Sequence, residues 1–172
     1  MNFFFKILLI LISFFFSCSS TKKNKESKPN ILLIVADDLG YTDLGSFGSE
    51  ISTPNINFLS QNGVTFTNFH TSPLCAPTRA MLLSGVSNHI AGIGIQGYNS
   101  DLFGYEGKLS NRIKTIPSIL NTSDYYTFIS GKWHLGGDLD SDPIKKGFDE
   151  SYVLLPGAGN HYSNRKVIKS YP

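Results

Sequence analysis

The stretch "NILLIVADDLG" (Asn30 to Gly40) limits the fold of this chain more than any other. Apolar residues run unbroken from Ile31 to Ala36 and end on two carboxylates, Asp37 and Asp38. A strand with one face in water alternates apolar and polar side chains. A continuous apolar run instead suits a strand buried on both faces, as in a parallel sheet covered by helices. A parallel sheet needs crossover segments, and the sequence offers them. "TPNINFLSQNG" (Thr53 to Gly63) reads as a helix, with Thr53 at the N-cap, Pro54 in the first turn, Gly63 as a stop and an apolar face of Ile56, Phe58 and Leu59. "PTRAMLLSG" opens at Pro77 and closes at Gly85, and "TIPSILNTS" (Thr115 to Ser123) reads as a further short helix. "VTFTNFHT" alternates Val64, Phe66 and Phe69 with polar residues, the pattern of a strand. "YYTFISG" (Tyr125 to Gly131) and "GFDESYVLL" (Gly147 to Leu155) are β-branched and aromatic, and also read as strands. Strands alternating with helices predict an α/β domain with a mainly parallel sheet flanked by helices. Residues 86–114 are glycine-rich and weakly periodic, and a loop of that length inside a compact domain is usually functional.

The first eighteen residues follow other rules. Lys6 is followed by an apolar run from Ile7 to Ile12, then Ser13 and three phenylalanines. This is the pattern of a secretory signal peptide; the alternative is a retained signal anchor, for which the run is short of the ~20 apolar residues a full span needs. Ser17 and Cys18, followed by a polar tract, resemble the lipobox of bacterial lipoproteins, although Phe15 and Phe16 depart from its usual Leu-like and small residues. That resemblance implies residues 1–18 as a lipoprotein signal peptide, a membrane anchor through lipid on Cys18, and export to the bacterial periplasm or the outer membrane and cell surface. Residues 19–28 read as a flexible, solvated tether with four lysines and one glutamate. The chain's net charge of +2 belongs to leader and tether, since residues 29–172 carry ten basic and twelve acidic side chains. Nothing in that balance points to nucleic acid.

Three segments carry candidate chemistry at predicted strand ends, where open α/β sheets place their ligands. Asp37 and Asp38 suit a hard cation such as Ca²⁺ or Mg²⁺, or else form a turn pair. Cys75, just before a helix, lies where backbone N–H groups favour negative charge; the alternative is a buried structural thiol. Arg79 lies one helical turn on and can return to the same mouth, where its fork could hold a tetrahedral oxyanion. Lys132 and His134 flank Trp133 in "GKWHLG"; on a continuing strand both point to one face, and the alternative is a glycine-bounded turn with a solvated lysine.

Taken together, "CAPTR" with "AMLLSG", "YYTFISGKWHLG" and "PNILLIVADDLGYTDLG" resemble, in order and separation, the motifs of the type I, formylglycine-dependent sulfatases, arylsulfatase-like members of the alkaline-phosphatase superfamily. The likeness covers nearly all of residues 29–172; Ser84 and Asp124 are small departures. It implies an alkaline-phosphatase-like fold and hydrolysis of sulfate esters. It also implies that Cys75, read in its "Cys-x-Pro-x-Arg" setting by a formylglycine-generating or anaerobic maturing enzyme, becomes Cα-formylglycine. One hydroxyl of the hydrated aldehyde would attack sulfur, and the second would expel sulfate. By the same likeness Asp37, Asp38 and the converted residue 75 hold Ca²⁺, with Mg²⁺ as the other hard candidate. Arg79 orients the nucleophile, Lys132 offsets sulfate charge and His134 accepts the diol proton. The substrate is a sulfate ester, with sulfated polysaccharide one candidate for a surface lipoprotein. The family's catalytic domain is longer, with a second pair of metal ligands and a further Lys/His set in later segments. The expectation is therefore an N-terminal fragment whose site is incomplete and which is inactive alone. Two other readings remain open from sequence: a phosphonate or phosphate monoester hydrolase of the same superfamily, and an inactive lipoprotein that binds sulfated glycans.

Overall fold

A computed structural model of the protein describes residues 27–159 and the backbone of residues 167–170. The expected signal peptide, Cys18 and most of the expected tether lie outside the described residues. The chain divides into two compact units between Val35 and Ala36. In the first, residues 27–35 form neither helix nor strand, and Ile31 to Val35 are exposed, Leu32 at 84%. The sequence predicted a buried strand there. An apolar run becomes a strand only when neighbouring backbone satisfies its N–H and C=O groups, and no sheet pairing among the described residues includes it.

The second unit contains α1 (Pro54–Asn62), α2 (Cys75–Ser84), α3 (Ile116–Asn121), β1 (Phe128–Lys132), β2 (Glu150–Leu154) and β3 (Val167–Ser170). β1 and β2 are parallel, with Phe128 opposite Glu150 and Lys132 opposite Leu154. β3 joins β2 antiparallel, with Ser151 opposite Ser170. The expected α/β class is present, with the parallel pair at its centre of interest and an antiparallel neighbour that the sequence reading did not include. Residues 64–71, read as a strand, carry no strand in the structure, and Val64, Phe66 and Phe69 are exposed. Alternation fixes which face a strand buries, but a strand still needs a partner to pair with.

The three helices form where Pro, cap and glycine signals placed them. α1 follows Thr53, but the Thr53 hydroxyl does not cap it. That oxygen accepts from the Gly45 N–H at 2.9 Å and donates to Asn57 Oδ1 at 2.9 Å. The expected apolar face of α1 stays uncovered, with Phe58 and Leu59 each 62% exposed. α2 begins at Cys75, two residues before the expected start, and ends at Gly85, whose left-handed φ of 69° lets its N–H reach the Met81 carbonyl. α3 carries a reciprocal cap between Thr115 and Ser118.

The core lies between α2, the β1–β2 pair and the 86–114 loop. Ala76, Ala80 and Leu83 come from α2, Ala91, Ile93 and Leu109 from the loop, and Val153 and Leu155 from β2 and its end. Trp133 and Leu135, just past β1, are fully buried. The Trp133 indole N–H donates to the Ser141 carbonyl at 2.9 Å, and its ring meets Phe148 edge-on at 6.3 Å. A full tryptophan burial with its one polar atom satisfied is among the largest single contributions a small core can hold. The segment that carries Lys132 and His134 is thus pinned from below by the residue between them.

Candidate active site

α2 sets Cys75 at its first position, preceded by Leu74 in extended backbone. The thiol is half-buried; Sγ lies 2.9 Å from Gln96 Oε1 and 3.4 Å from His134 Nδ1. The hydroxyl of Thr78 donates to the Ser72 carbonyl at 2.9 Å, which ties the approach segment to the helix it opens.

Parallel pairing brings the other groups in. The ladder continues past β1, because Trp133 N–H donates to Leu154 O at 2.8 Å and His134 N–H to Leu155 O at 2.9 Å. Lys132 and His134 therefore sit at the carboxyl end of the parallel pair, where such sheets bind ligands. His134 is not on a continuing strand, however. Its φ of 57° is left-handed, a conformation that costs a non-glycine residue about 1 kcal/mol and that concentrates at functional sites. The turn swings the imidazole to Cys75, and Gly157 leaves the room for it: a Cβ at 157 would lie 2.2 Å from His134 Cε1.

Arg79 does return one turn along α2, as its spacing predicted, and its partners are backbone. Nε donates to the Trp133 carbonyl at 2.8 Å, and Nη2 donates to the Lys132 carbonyl. Burial lowers the guanidinium's pKa, against which Asp37 and Cys75 act. Arg79 couples the helix that Cys75 opens to the strand end that bears Lys132 and His134.

Lys132 Nζ pairs with Asp37 Oδ2 at 3.0 Å. Burial disfavours the ammonium, but its hydrogen bonds to Asp37 and Cys75 and their charges outweigh this and raise its pKa. For His134, burial is the largest influence, followed by the charges of Lys132 and Arg79; together they lower its pKa despite Asp37. A lysine held charged beside a histidine held neutral gives one site a fixed cation and a base. Asp38 takes a left-handed φ of 55°. Asp37 goes to Lys132, and Asp38 lines an open cleft of about 380 Å³ together with Cys75, Gln96, Lys132 and His134.

Asp37 and Asp38 offer oxygen donors of the kind a hard divalent cation takes; Asp38 lines the cleft with Cys75, and Asp37 is paired to Lys132, which lines it too. A full shell needs about six to eight oxygens. Among the described residues no three His, Cys, Asp or Glu side chains converge as a metal cluster, so the pair would supply only part of such a shell. The donor set fits such an ion in kind.

All six residues singled out from sequence are accounted for: Cys75, Lys132, His134 and Asp38 line one cleft, Asp37 is paired to Lys132, and Arg79 braces it from behind. Gln96 and Gly157 were not singled out. Gln96 lies in the long glycine-rich loop, and its neighbour Gly97 is the one signal that the chain there turns tightly.

Residues 29–171 match the family model described as Sulfatase. The chain belongs to the sulfatase family. It is 53% identical over 156 residues to an uncharacterized sulfatase of Schizosaccharomyces pombe, which covers 86% of this chain and 28% of that protein. It is 37% identical over 143 residues to an arylsulfatase of Klebsiella aerogenes, covering 81% of this chain and 31% of the relative. The chain thus spans about three-tenths of the length of these relatives. Among solved structures it is similar to Ps i-CgsB, also crystallised in complex with k-i-k-neocarrahexaose, with a TM-score of 0.68 and 40% identity over 78% of this chain and 30% of that one. The alkaline-phosphatase-like α/β fold expected from the motifs is the fold this sulfatase chain shares with its structural neighbours.

Proposed function

We propose that this sulfatase-family chain contributes the nucleophile half of a site that hydrolyses sulfate esters, and that the substrate is a sulfated sugar. One observation carries the reading: Cys75, the first residue of α2, lies 3.4 Å from His134 Nδ1 in a cleft that also receives Lys132 and Asp38. The sugar is suggested by the neocarrahexaose bound to a structural neighbour.

In this reading residue 75 is converted to formylglycine, whose hydrate supplies one hydroxyl to attack sulfur and a second to release the sulfate. His134, kept neutral by burial and by its cationic neighbours, accepts a hydroxyl proton at Nδ1. Lys132, kept charged, lies where it offsets sulfate's negative charge. Arg79 fixes the distance between the nucleophile's helix and the Lys132–His134 segment. Asp37, Asp38 and residue 75 would hold Ca²⁺ or Mg²⁺, which would polarise the sulfate oxygens. We also propose export as a lipoprotein anchored through Cys18, on the strength of the charged start, apolar core and polar tract around it.

The test is co-expression of the full-length protein that carries this segment with a formylglycine-generating enzyme, followed by mass spectrometry of the peptide containing residue 75 and assay of a sulfated galactoside and of para-nitrophenyl sulfate. The expected result is an aldehyde at residue 75 and release of sulfate that Cys75→Ala abolishes. Turnover with a persistent free thiol would refute the nucleophile. Cleavage of the matching phosphate ester in preference to the sulfate would refute the reaction class.

A further inference from the structure

Gln96 lines the cleft without a role in the proposed chemistry. Its Oε1 lies 2.9 Å from Cys75 Sγ, nearer than His134 Nδ1 at 3.4 Å. Sγ stands here where a hydroxyl oxygen of the converted residue would be, and 2.9 Å is within the range of an O–H···O hydrogen bond.

The loop fixes the residue that makes this contact. Ile93 is buried and its N–H donates to Asn88 O at 2.9 Å, while Asn88 Nδ2 donates to Gly94 O at 3.0 Å. Gly94 N–H donates to Gly104 O at 2.6 Å. Just past Gln96 the chain turns at Gly97, whose φ is 74°. Leu109 N–H donates to Leu135 O at 2.8 Å, which ties the loop to the segment bearing His134. The half-buried Gln96 side chain is therefore presented to residue 75 from a bonded frame.

The polar groups around residue 75 differ in what they can do with a proton. The Lys132 ammonium, which also bonds Cys75, can only donate. His134 is the base, and a base must let its partner's proton go. The Gln96 amide oxygen accepts a hydrogen bond but is too weak a base to take the proton. It also tells a hydroxyl from a bare carbonyl. A hydroxyl donates to it, whereas a carbonyl oxygen sets lone pairs against lone pairs.

We infer that Gln96 holds residue 75 in its hydrated form: Oε1 accepts from one hydroxyl of the hydrated aldehyde, favours the hydrate over the free aldehyde, and leaves the other hydroxyl to His134. Hydration adds the oxygen of water to the aldehyde carbon while one water proton passes to the carbonyl oxygen, so nothing is oxidised or reduced. The inference rests on the formylglycine reading above and gives a part to a residue that reading does not use.

The test reads the aldehyde itself. The full-length protein that carries this segment is made with a formylglycine-generating enzyme and treated with methoxyamine, which captures the free aldehyde and not its hydrate. Mass spectrometry of the peptide containing residue 75 follows the oxime. Gln96→Leu, of similar size but without an acceptor, is expected to form oxime about fivefold faster than wild type, the effect of one lost neutral hydrogen bond. Gln96→Glu keeps an acceptor oxygen and should react no faster than wild type, which a merely structural role would not ensure. Leu102→Ala, at an exposed position of the same loop, should match wild type. Circular dichroism checks that each variant folds, and Gln96→Met replaces the leucine variant if that one does not. On para-nitrophenyl sulfate the leucine variant should lose about fivefold in kcat and keep KM within about twofold, because the lost contact is to the nucleophile. Equal oxime rates in wild type and the leucine or methionine variant overturn the inference, as does a loss confined to KM. A glutamate variant as fast as the leucine variant overturns the acceptor role. If residue 75 keeps its thiol mass, the formylglycine reading fails and the role of Gln96 fails with it. If the oxime rates respond as expected and no sulfate ester is cleaved, the reaction class fails and the hold of Gln96 on the hydrate stands.

Discussion

Arg79 gives the sharpest test of how the site is held. Its guanidinium donates through Nε to Trp133 O and through Nη2 to Lys132 O, across fifty-odd residues of sequence. A hydrogen bond from a charged donor contributes about 1.5–3 kcal/mol. The side chain is half-buried, so the lower figure applies to each bond, and Arg79→Ala should cost about 3 kcal/mol. With a urea dependence of about 2 kcal/mol per molar, the unfolding midpoint should fall by about 1.5 M. Arg79→Lys keeps the charge but not the planar fork. An ammonium reaches one carbonyl and should recover about half of that loss. Equilibrium urea unfolding followed by Trp133 fluorescence reads both variants, since Trp133 is the only tryptophan and is buried at this junction. A midpoint within about 0.5 M of wild type for the alanine variant would refute the brace. Wild-type behaviour of the lysine variant would show that charge alone suffices and that fork geometry does not matter.

Further outcomes follow from other contacts. Gly157→Ala puts a Cβ where it would lie 2.2 Å from His134 Cε1, so the imidazole must move; in the full-length protein that carries this segment, kcat on para-nitrophenyl sulfate should fall by about a hundredfold with the fold intact by circular dichroism, and an unchanged kcat would overturn this. The hydrogen bond from Lys108, aided by Ser141, depresses the Asp138 carboxyl from 3.8 to about 2. Its folded pKa lies below its unfolded one, so the unfolded chain takes up the proton first. The contribution to stability is therefore complete above 3.8 and is lost as pH falls toward about 2. The pair is solvent-exposed, so Asp138→Asn should flatten the acid limb by less than about 1 kcal/mol in pH-dependent thermal melts, and an unaltered limb would count against the pairing. Labelled palmitate should enter the wild-type chain and not Cys18→Ser; a soluble exported product cleaved elsewhere would refute the anchor.

The residues that carry charge or nucleophilicity were legible because chemistry restricts residue type. A thiol before a helix, an arginine one turn on, and a lysine and histidine two apart announce themselves, and the structure draws Cys75, Lys132 and His134 into one cleft. The helices were legible because caps and prolines act locally: Pro54, Gly85 and Thr115 each do what short-range sterics require. Strands fared unevenly for the opposite reason. β1 and β2 form because they find each other, through contacts between residues about twenty apart. Ile31–Val35 and residues 64–71 have strand-like patterns but no ladder among the described residues, and a pattern without a partner specifies a face, not a strand.

What the pattern could not announce is the shape around the chemistry. Gln96 bears no charge, occupies a loop without periodicity and is twenty-one residues from the thiol whose Sγ it meets at 2.9 Å. Gly157 acts by what it lacks, since the only sign of its role is the imidazole that fills the space beside it. Even His134, singled out from sequence, reaches the cleft by an unforeseen route: strand alternation would have aimed it, but a left-handed turn does. Each of these is a relation between distant backbone segments. The reacting groups are set by residue identity, whereas their distances are set by α2, the end of β1 and the 86–114 loop packing on Trp133. A substitution that leaves every reacting group in place but loosens that packing should therefore lower turnover as surely as the loss of a reacting group.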